Sequence, residues 1–176
     1  IGPRRELGVR TLFNILGPLT NPAGAQAQVL GVADPSLGEK LAHVLRHLGS
    51  NHALVVHGSQ GVDELVTCGE STIWELKGDN VTSYTITPEE AGLSRSPLDS
   101  IRGGTIEANV ALFRQALSGQ ECPARDVVLL NAAAALVAAD RAPTLGIGIT
   151  LAAQAVDSGD AWDKLAQLAT LSHRLA

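Results

Sequence analysis

Apolar residues recur through the first part of the chain at Leu7, Val9, Leu12, Phe13, Ile15, Leu16 and Leu19. Leu12, Ile15, Leu16 and Leu19 have helical spacing, and Asn21-Pro22 ends the run. A short strand over residues 25–32 then leads into Asp34-Pro35. Ser36 and Glu39 stand three apart, the spacing of a capping box, ahead of a helix whose apolar face is Leu37, Leu41, Val44, Leu45 and Leu48. Gly49 occupies the place of a C-terminal glycine cap. Ala53-Leu54-Val55-Val56 is an unbroken apolar strand, the pattern of one buried on both faces. Strand, helix and strand within about 30 residues predict a parallel crossover.

The pattern then changes twice. Residues 71–86 read as two short strands around Gly78-Asp79-Asn80, a hairpin signal. From Thr105 onward it is helical: Ile106, Val110, Phe113 and Leu117 form one stripe, and residues 127–139 are so apolar that their helix should be buried all round. Two more helices, over 145–156 and 162–175, are separated by Asp157-Ser158-Gly159-Asp160. The expected class is α/β, a central sheet flanked by helices and followed by C-terminal helices.

Composition narrows the function classes. With 176 residues, 45% hydrophobic and 18% charged, the chain can bury one substantial core. Thirteen Lys and Arg against eighteen Asp and Glu give a net charge of -5, which disfavours nucleic acid as a partner. Cys68 and Cys122 lack CxxC spacing, so neither a zinc cluster nor a disulfide framework is expected, and unpaired thiols fit a reducing cytoplasm. No signal peptide and no apolar run of membrane-spanning length is seen, so no membrane association is expected. The chain opens on Ile1 and has no methionine, and it reads as a piece of a longer soluble protein.

The richest stretch chemically is His57-Gly58-Ser59-Gln60-Gly61-Val62-Asp63-Glu64, directly after the apolar strand. Ligands of open α/β sheets bind beyond the carboxyl ends of the strands. Adjacent Asp63 and Glu64 offer hard oxygen ligands suited to Mg²⁺ beside a substrate phosphate; the alternative is a solvated acidic turn. Arg4, Arg5 and Arg10 offer planar forks for a carboxylate or phosphate, or form a solvated terminus. His43 and His47 are four apart, but Lys40 and Arg46 beside them repel a cation, which points to a solvated face. Asn131 interrupts the apolar helix and reads as a hydrogen-bonded core amide. Gly146-Ile147-Gly148 is too short for a dinucleotide fingerprint.

Residues 4–22, RRELGVRTLFNILGPLTNP, closely resemble the central signature of the anthranilate phosphoribosyltransferase family. The strand ending in a His-Gly turn followed by Gly61-Val62-Asp63-Glu64, the Gly103-Gly104-Thr105 helix start and the Leu130-Asn131-Ala132-Ala133-Ala134-Ala135-Leu136 helix resemble further motifs of that family, in the same order. The resemblance implies a transferase of tryptophan biosynthesis that joins anthranilate to phosphoribosyl pyrophosphate and releases pyrophosphate, with Mg²⁺ as cofactor. It also implies a domain like that of the nucleoside phosphorylases and phosphoribosyltransferases. By motif position, Arg4 and Pro18 are expected to bind anthranilate, and Asp63 and Glu64 to hold the metal on the pyrophosphate. Reaction is expected by displacement at the ribose C1 carbon, and no residue stands out as its general base.

The resemblance implies a homodimer for the full-length protein, with residues 1–22 forming a hinge and helix segment that packs on a helical domain. Residues 23–176 would be the C-terminal part of the large α/β domain. The family's glycine-rich phosphate loop is absent from the sequence, so only the C-terminal half of the family pattern is matched, and the 176 residues alone are expected to be inactive. An unpaired apolar sheet edge is expected near residues 53–56. Where the family pattern puts a glutamate at the third helical position after Thr105, this chain has Ala108, with Glu107 one place earlier. Two alternative readings are a pyrimidine nucleoside phosphorylase-like enzyme, against which the FNILGPLTNP match argues, and a non-catalytic nucleic-acid-binding relative, against which the acidic charge argues.

Overall fold

The computed structural model describes residues 17–175. Of the helix expected over residues 7–19 only the last turn, residues 17–19, lies among them, and it is helical. Arg4, Arg5 and Arg10 lie outside the described residues.

Strand β1 (Ala27–Gly31), helix α1 (Gly38–His47) and strand β2 (His52–Gly58) form the expected crossover, with β1 and β2 parallel and Val29 opposite Leu54. Strands β3 (Ser71–Lys77) and β4 (Asn80–Ile86) form the hairpin, and β3 returns antiparallel onto β2. The sheet order is therefore β1-β2-β3-β4. This corrects the expected open edge at residues 53–56: β2 is central and hydrogen-bonded on both sides, and β1 and β4 are the outer strands.

Period-two alternation along β2 divides the core. Ala53 and Val55 face a layer with Leu30, Leu41, Ala42, Leu45 and Leu76, whereas Leu54 and Val56 face Leu65, Ile73, Leu130, Ala133, Ala134 and Val137. The second layer comes largely from helix α3 (Pro123–Ala138), so α1 and α3 cover opposite faces of the sheet. Each fully buried Leu or Val is worth about 1.5–3 kcal/mol, which makes β2 the strand that ties the two layers together. Helix α3 is buried on nearly every side, as its composition predicts, because helix α4 (Leu145–Asp157) covers the face turned away from the sheet.

The helix starts and faces differ from the sequence expectation in three places. The Ser36/Glu39 capping box does not form; Asp34 accepts from the Ser36 N–H at 3.0 Å, Pro35–Leu37 makes a 3-10 turn, and α1 starts only at Gly38. The apolar face of α1 is also narrower, since Leu41 and Leu45 are buried while Val44 and Leu48 remain exposed. Its C-terminus matches: Gly49 has φ +88°, its N–H bonds Arg46 O, and the Ser50 N–H bonds Leu45 O, a Schellman motif. On helix α2 (Ile106–Ala116), Ile106, Val110 and Phe113 stay exposed, and together with Trp162 and Leu165 of helix α5 (Asp160–Leu175) they line a groove of about 590 Å³. No described helix is long and apolar enough to cross a membrane.

Candidate functional site

Beyond β2 the chain doubles back on itself. Ser59–Gly61 makes a 3-10 turn in which Gln60 and Gly61 take left-handed φ angles of 65° and 77°. The Gly58 N–H then donates to Val62 O at 2.8 Å, closing the turn. This reversal lays Asp63 and Glu64 across the carboxyl ends of β1 and β2, the place where open α/β sheets bind ligands.

Two glycines make that path sterically possible. A Cβ at Gly31, the last residue of β1, would overlap the Asp63 carbonyl oxygen. A Cβ at Gly58, the last residue of β2, would sit 2.5 Å from the Glu64 carbonyl oxygen. Each strand thus ends in a residue that lets the acidic backbone lie directly on it. His57 secures the same end of the sheet, its Nδ1 donating to Val32 O at 2.8 Å while the Val32 N–H donates to Val56 O.

After Glu64 the chain dives into the core. Leu65 is fully buried, with Val66 and Thr67 following it. The Leu65 N–H donates to Asn131 Oδ1 at 3.0 Å, and Asn131 Nδ2 donates back to Leu65 O at 2.8 Å. The Val66 N–H donates to Ser71 Oγ at 3.0 Å, and the Ser96 N–H donates to Thr67 O. Asp63 and Glu64 therefore stand as exposed side chains between two anchored segments.

Neither carboxylate takes part in the ion pairs among the described residues. Two adjacent carboxyl groups with hard oxygen donors and no ion-pair partner among the described residues fit a divalent cation such as Mg²⁺, and the two backbone cradles fix where they emerge. Among the described residues no cluster of three or more His, Cys, Asp or Glu comes together. Two protein carboxylates match the usual share for Mg²⁺, the other positions being taken by water and substrate phosphate.

Pro18 is placed elsewhere. It lines a cleft with Gln26, Gln28, Leu48 and Ser50, at the amino end of β1, whereas Asp63 lies on Gly31 at the carboxyl end. The structure does not bring these two parts of the expected site together, and Arg4 lies outside the described residues. At the start of α2, Thr105 is the N-cap as expected, accepting from the Ala108 N–H at 3.3 Å. The Glu107 backbone N–H, and then the Thr105 hydroxyl, hold the Glu107 carboxyl below the usual carboxylate range. The contribution of Asn131 to the site was not legible in sequence. An amide inside an apolar helix signals a hydrogen-bonded group, but not that its partner lies 66 positions away, beside the acidic pair.

Residues 1–162 match the model of the "Glycosyl transferase family, a/b domain". An anthranilate phosphoribosyltransferase from Symbiobacterium thermophilum is 55% identical over 172 residues, covering 98% of this chain and 50% of that protein. One from Pelobacter propionicus is 56% identical over 168 residues, covering 96% of this chain and 48% of that protein. The chain thus spans about half the length of these curated relatives. Among solved structures, the anthranilate phosphoribosyltransferase of Thermus thermophilus superimposes with a TM-score of 0.85 at 47% identity, over 93% of this chain and 48% of that one. The Saccharomyces cerevisiae enzyme in complex with PRPP and Mg gives a TM-score of 0.81 at 28% identity, over 92% of this chain and 47% of that one.

Proposed function

The chain belongs to the glycosyl transferase family whose α/β domain it matches, and on that premise we propose that the protein carrying it joins anthranilate to phosphoribosyl pyrophosphate. In this reading the amine nitrogen of anthranilate forms a bond to the ribose C1 carbon as the C1–O bond to pyrophosphate breaks. The leaving pyrophosphate takes the bonding electron pair, and the proton given up by the amine passes to solvent. The observation that carries the proposal is the Asp63-Glu64 pair, which stands where the two parallel strands end and makes no ion pair among the described residues.

The chain's own residues mainly bind and orient. Asp63 and Glu64 would hold Mg²⁺, which when bound neutralises charge developing on the leaving group. Gly31 and Gly58 admit the loop, and Asn131 and Ser71 anchor its buried side. Without a cation the two carboxylates would repel the pyrophosphate, so substrate and metal should bind together. Arg4 enters as an anthranilate-side residue on its motif, and Pro18 carries the same motif assignment although its cleft lies at the amino end of β1. The same reading makes the protein a cytoplasmic homodimer, with residues 1–22 packed against a helical domain.

The test is an assay of the full-length protein that carries this chain, with anthranilate, phosphoribosyl pyrophosphate and Mg²⁺. Formation of N-(5-phosphoribosyl)anthranilate with stoichiometric pyrophosphate is expected. Phosphorolysis of a pyrimidine nucleoside, with no reaction of anthranilate, would overturn the proposal.

A further inference from the structure

We infer that Asn131 is a positioning residue for the acidic pair: from helix α3 it clamps the peptide that follows Glu64 and so fixes how the two carboxylates face the metal–pyrophosphate. The inference rests on the functional reading above. Residues around Asn131 on α3 are apolar and buried, among them Val127, Leu130 and Ala134. An amide in such surroundings is costly unless its hydrogen bonds are made. It makes three: Oδ1 accepts from Leu65 N–H at 3.0 Å, and Nδ2 donates to Leu65 O at 2.8 Å and to Val127 O at 3.0 Å.

Two of these bonds saturate the backbone of one residue, as the facing residue of a neighbouring strand would. The Leu65 N–H belongs to the peptide whose carbonyl is that of Glu64, and that carbonyl lies on Gly58. One side of the Glu64–Leu65 peptide is thus fixed against β2 and the other against α3. With the peptide plane set, the direction in which the Glu64 side chain leaves the loop is set as well. Val127 O orients the amide from within its own helix, so the clamp is rigid relative to α3. Among the described residues the side chains of the acidic pair make no ion pair, so the backbone clamp is what fixes them there. Groups that support metal ligands from behind typically change metal affinity by about 10–100-fold when removed.

The experiment measures phosphoribosyl pyrophosphate binding in the presence of Mg²⁺ by calorimetry, together with thermal stability, in the full-length protein. Asn131→Ala is expected to weaken this binding by about tenfold. Leu129→Ala is the control, because Leu129 lies on the same helix but packs against α4. It should lower the melting temperature while leaving binding within about twofold of wild type, well short of the loss typical for a ligand-supporting group. Asn131→Asp supplies a second readout if Asn131→Ala does not fold. A protonated carboxyl can still donate to Leu65 O, whereas an ionised one faces that carbonyl with no donor. The Asn131→Asp defect, relative to wild type in the same buffer, should therefore be smaller near pH 6 than near pH 8, as expected for a carboxyl desolvated beside a carbonyl.

Wild-type binding by a folded Asn131→Ala protein, or an equal loss in Leu129→Ala, would overturn the clamp. So would Asn131→Asp binding like wild type at both pH values. The Asp63→Asn/Glu64→Gln double variant separates the two levels of argument. If it too binds like wild type, the functional reading fails and the clamp fails with it; if it is crippled while Asn131→Ala is not, the clamp alone fails.

Discussion

A methyl group on Gly31 has nowhere to go, because the Asp63 carbonyl oxygen already occupies the space. Gly31→Ala must displace either the strand end or the acidic loop, and overpacking of this kind costs about 1–3 kcal/mol. Urea unfolding should show that loss, and magnesium-dependent substrate binding should weaken beyond what the stability change explains. Unfolding and binding like wild type would mean that the loop does not depend on this contact. For Arg4, the proposal predicts a charge-assisted pair with the anthranilate carboxylate worth about 1.5–3 kcal/mol. Arg4→Ala should then raise KM for anthranilate far more than KM for phosphoribosyl pyrophosphate, and equal effects on both would contradict it. At this scale the sequence singles out candidate residues but not what holds them. Asp63 and Glu64 stand out because two carboxylates follow a buried strand. Their support by Gly31, Gly58 and Asn131 depends on contacts that no local pattern encodes.

Among the elements, α3 has the widest reach. Asn131 ties it to the loop beyond the carboxyl end of β2, while Asp140, just past its last turn, accepts from His52 Nδ1 at 2.9 Å at the amino end of the same strand. His52 is buried, and its other ring nitrogen faces Glu75 Oε1 of β3 at 2.9 Å. The hydrogen bond from His52 holds the Asp140 carboxyl below the usual carboxylate range. A carboxyl lowered in this way binds protons more readily in the unfolded chain. The stability it adds is present in full above the ordinary carboxylate range and is lost as the pH falls through its lowered folded value. Thermal melts from neutral pH down to about pH 3 should show a steeper loss for wild type than for Asp140→Asn, and parallel curves would contradict the assignment. The crossover and hairpin were legible in sequence, because both arise from local periodicity and turn residues. The position of β2 in the sheet was not: it follows from β3 folding back onto β2, a pairing between segments that the pattern describes only separately. The start of α1 was misplaced for a related reason, as Asp34 and Pro35 nucleate a 3-10 turn that displaces the Ser36 cap.

For the whole molecule, the α/β class agrees with the family to which the chain belongs. On the resemblance, these residues carry the acidic pair without a glycine-rich phosphate loop, and the chain spans about half the length of its relatives. The 176 residues alone are therefore expected to give no product from anthranilate and phosphoribosyl pyrophosphate, because the co-substrate would lack its backbone amide cradle. Measurable turnover by this piece would contradict that expectation. The central claim is that Asp63 and Glu64 together bring Mg²⁺ to the pyrophosphate. It is tested most directly by titrating Mg²⁺ into the full-length Asp63→Asn/Glu64→Gln protein while following product formation. The account predicts turnover reduced by about 100-fold or more, with no recovery of wild-type magnesium dependence. A magnesium curve and a maximal rate that overlay those of the wild type would contradict it.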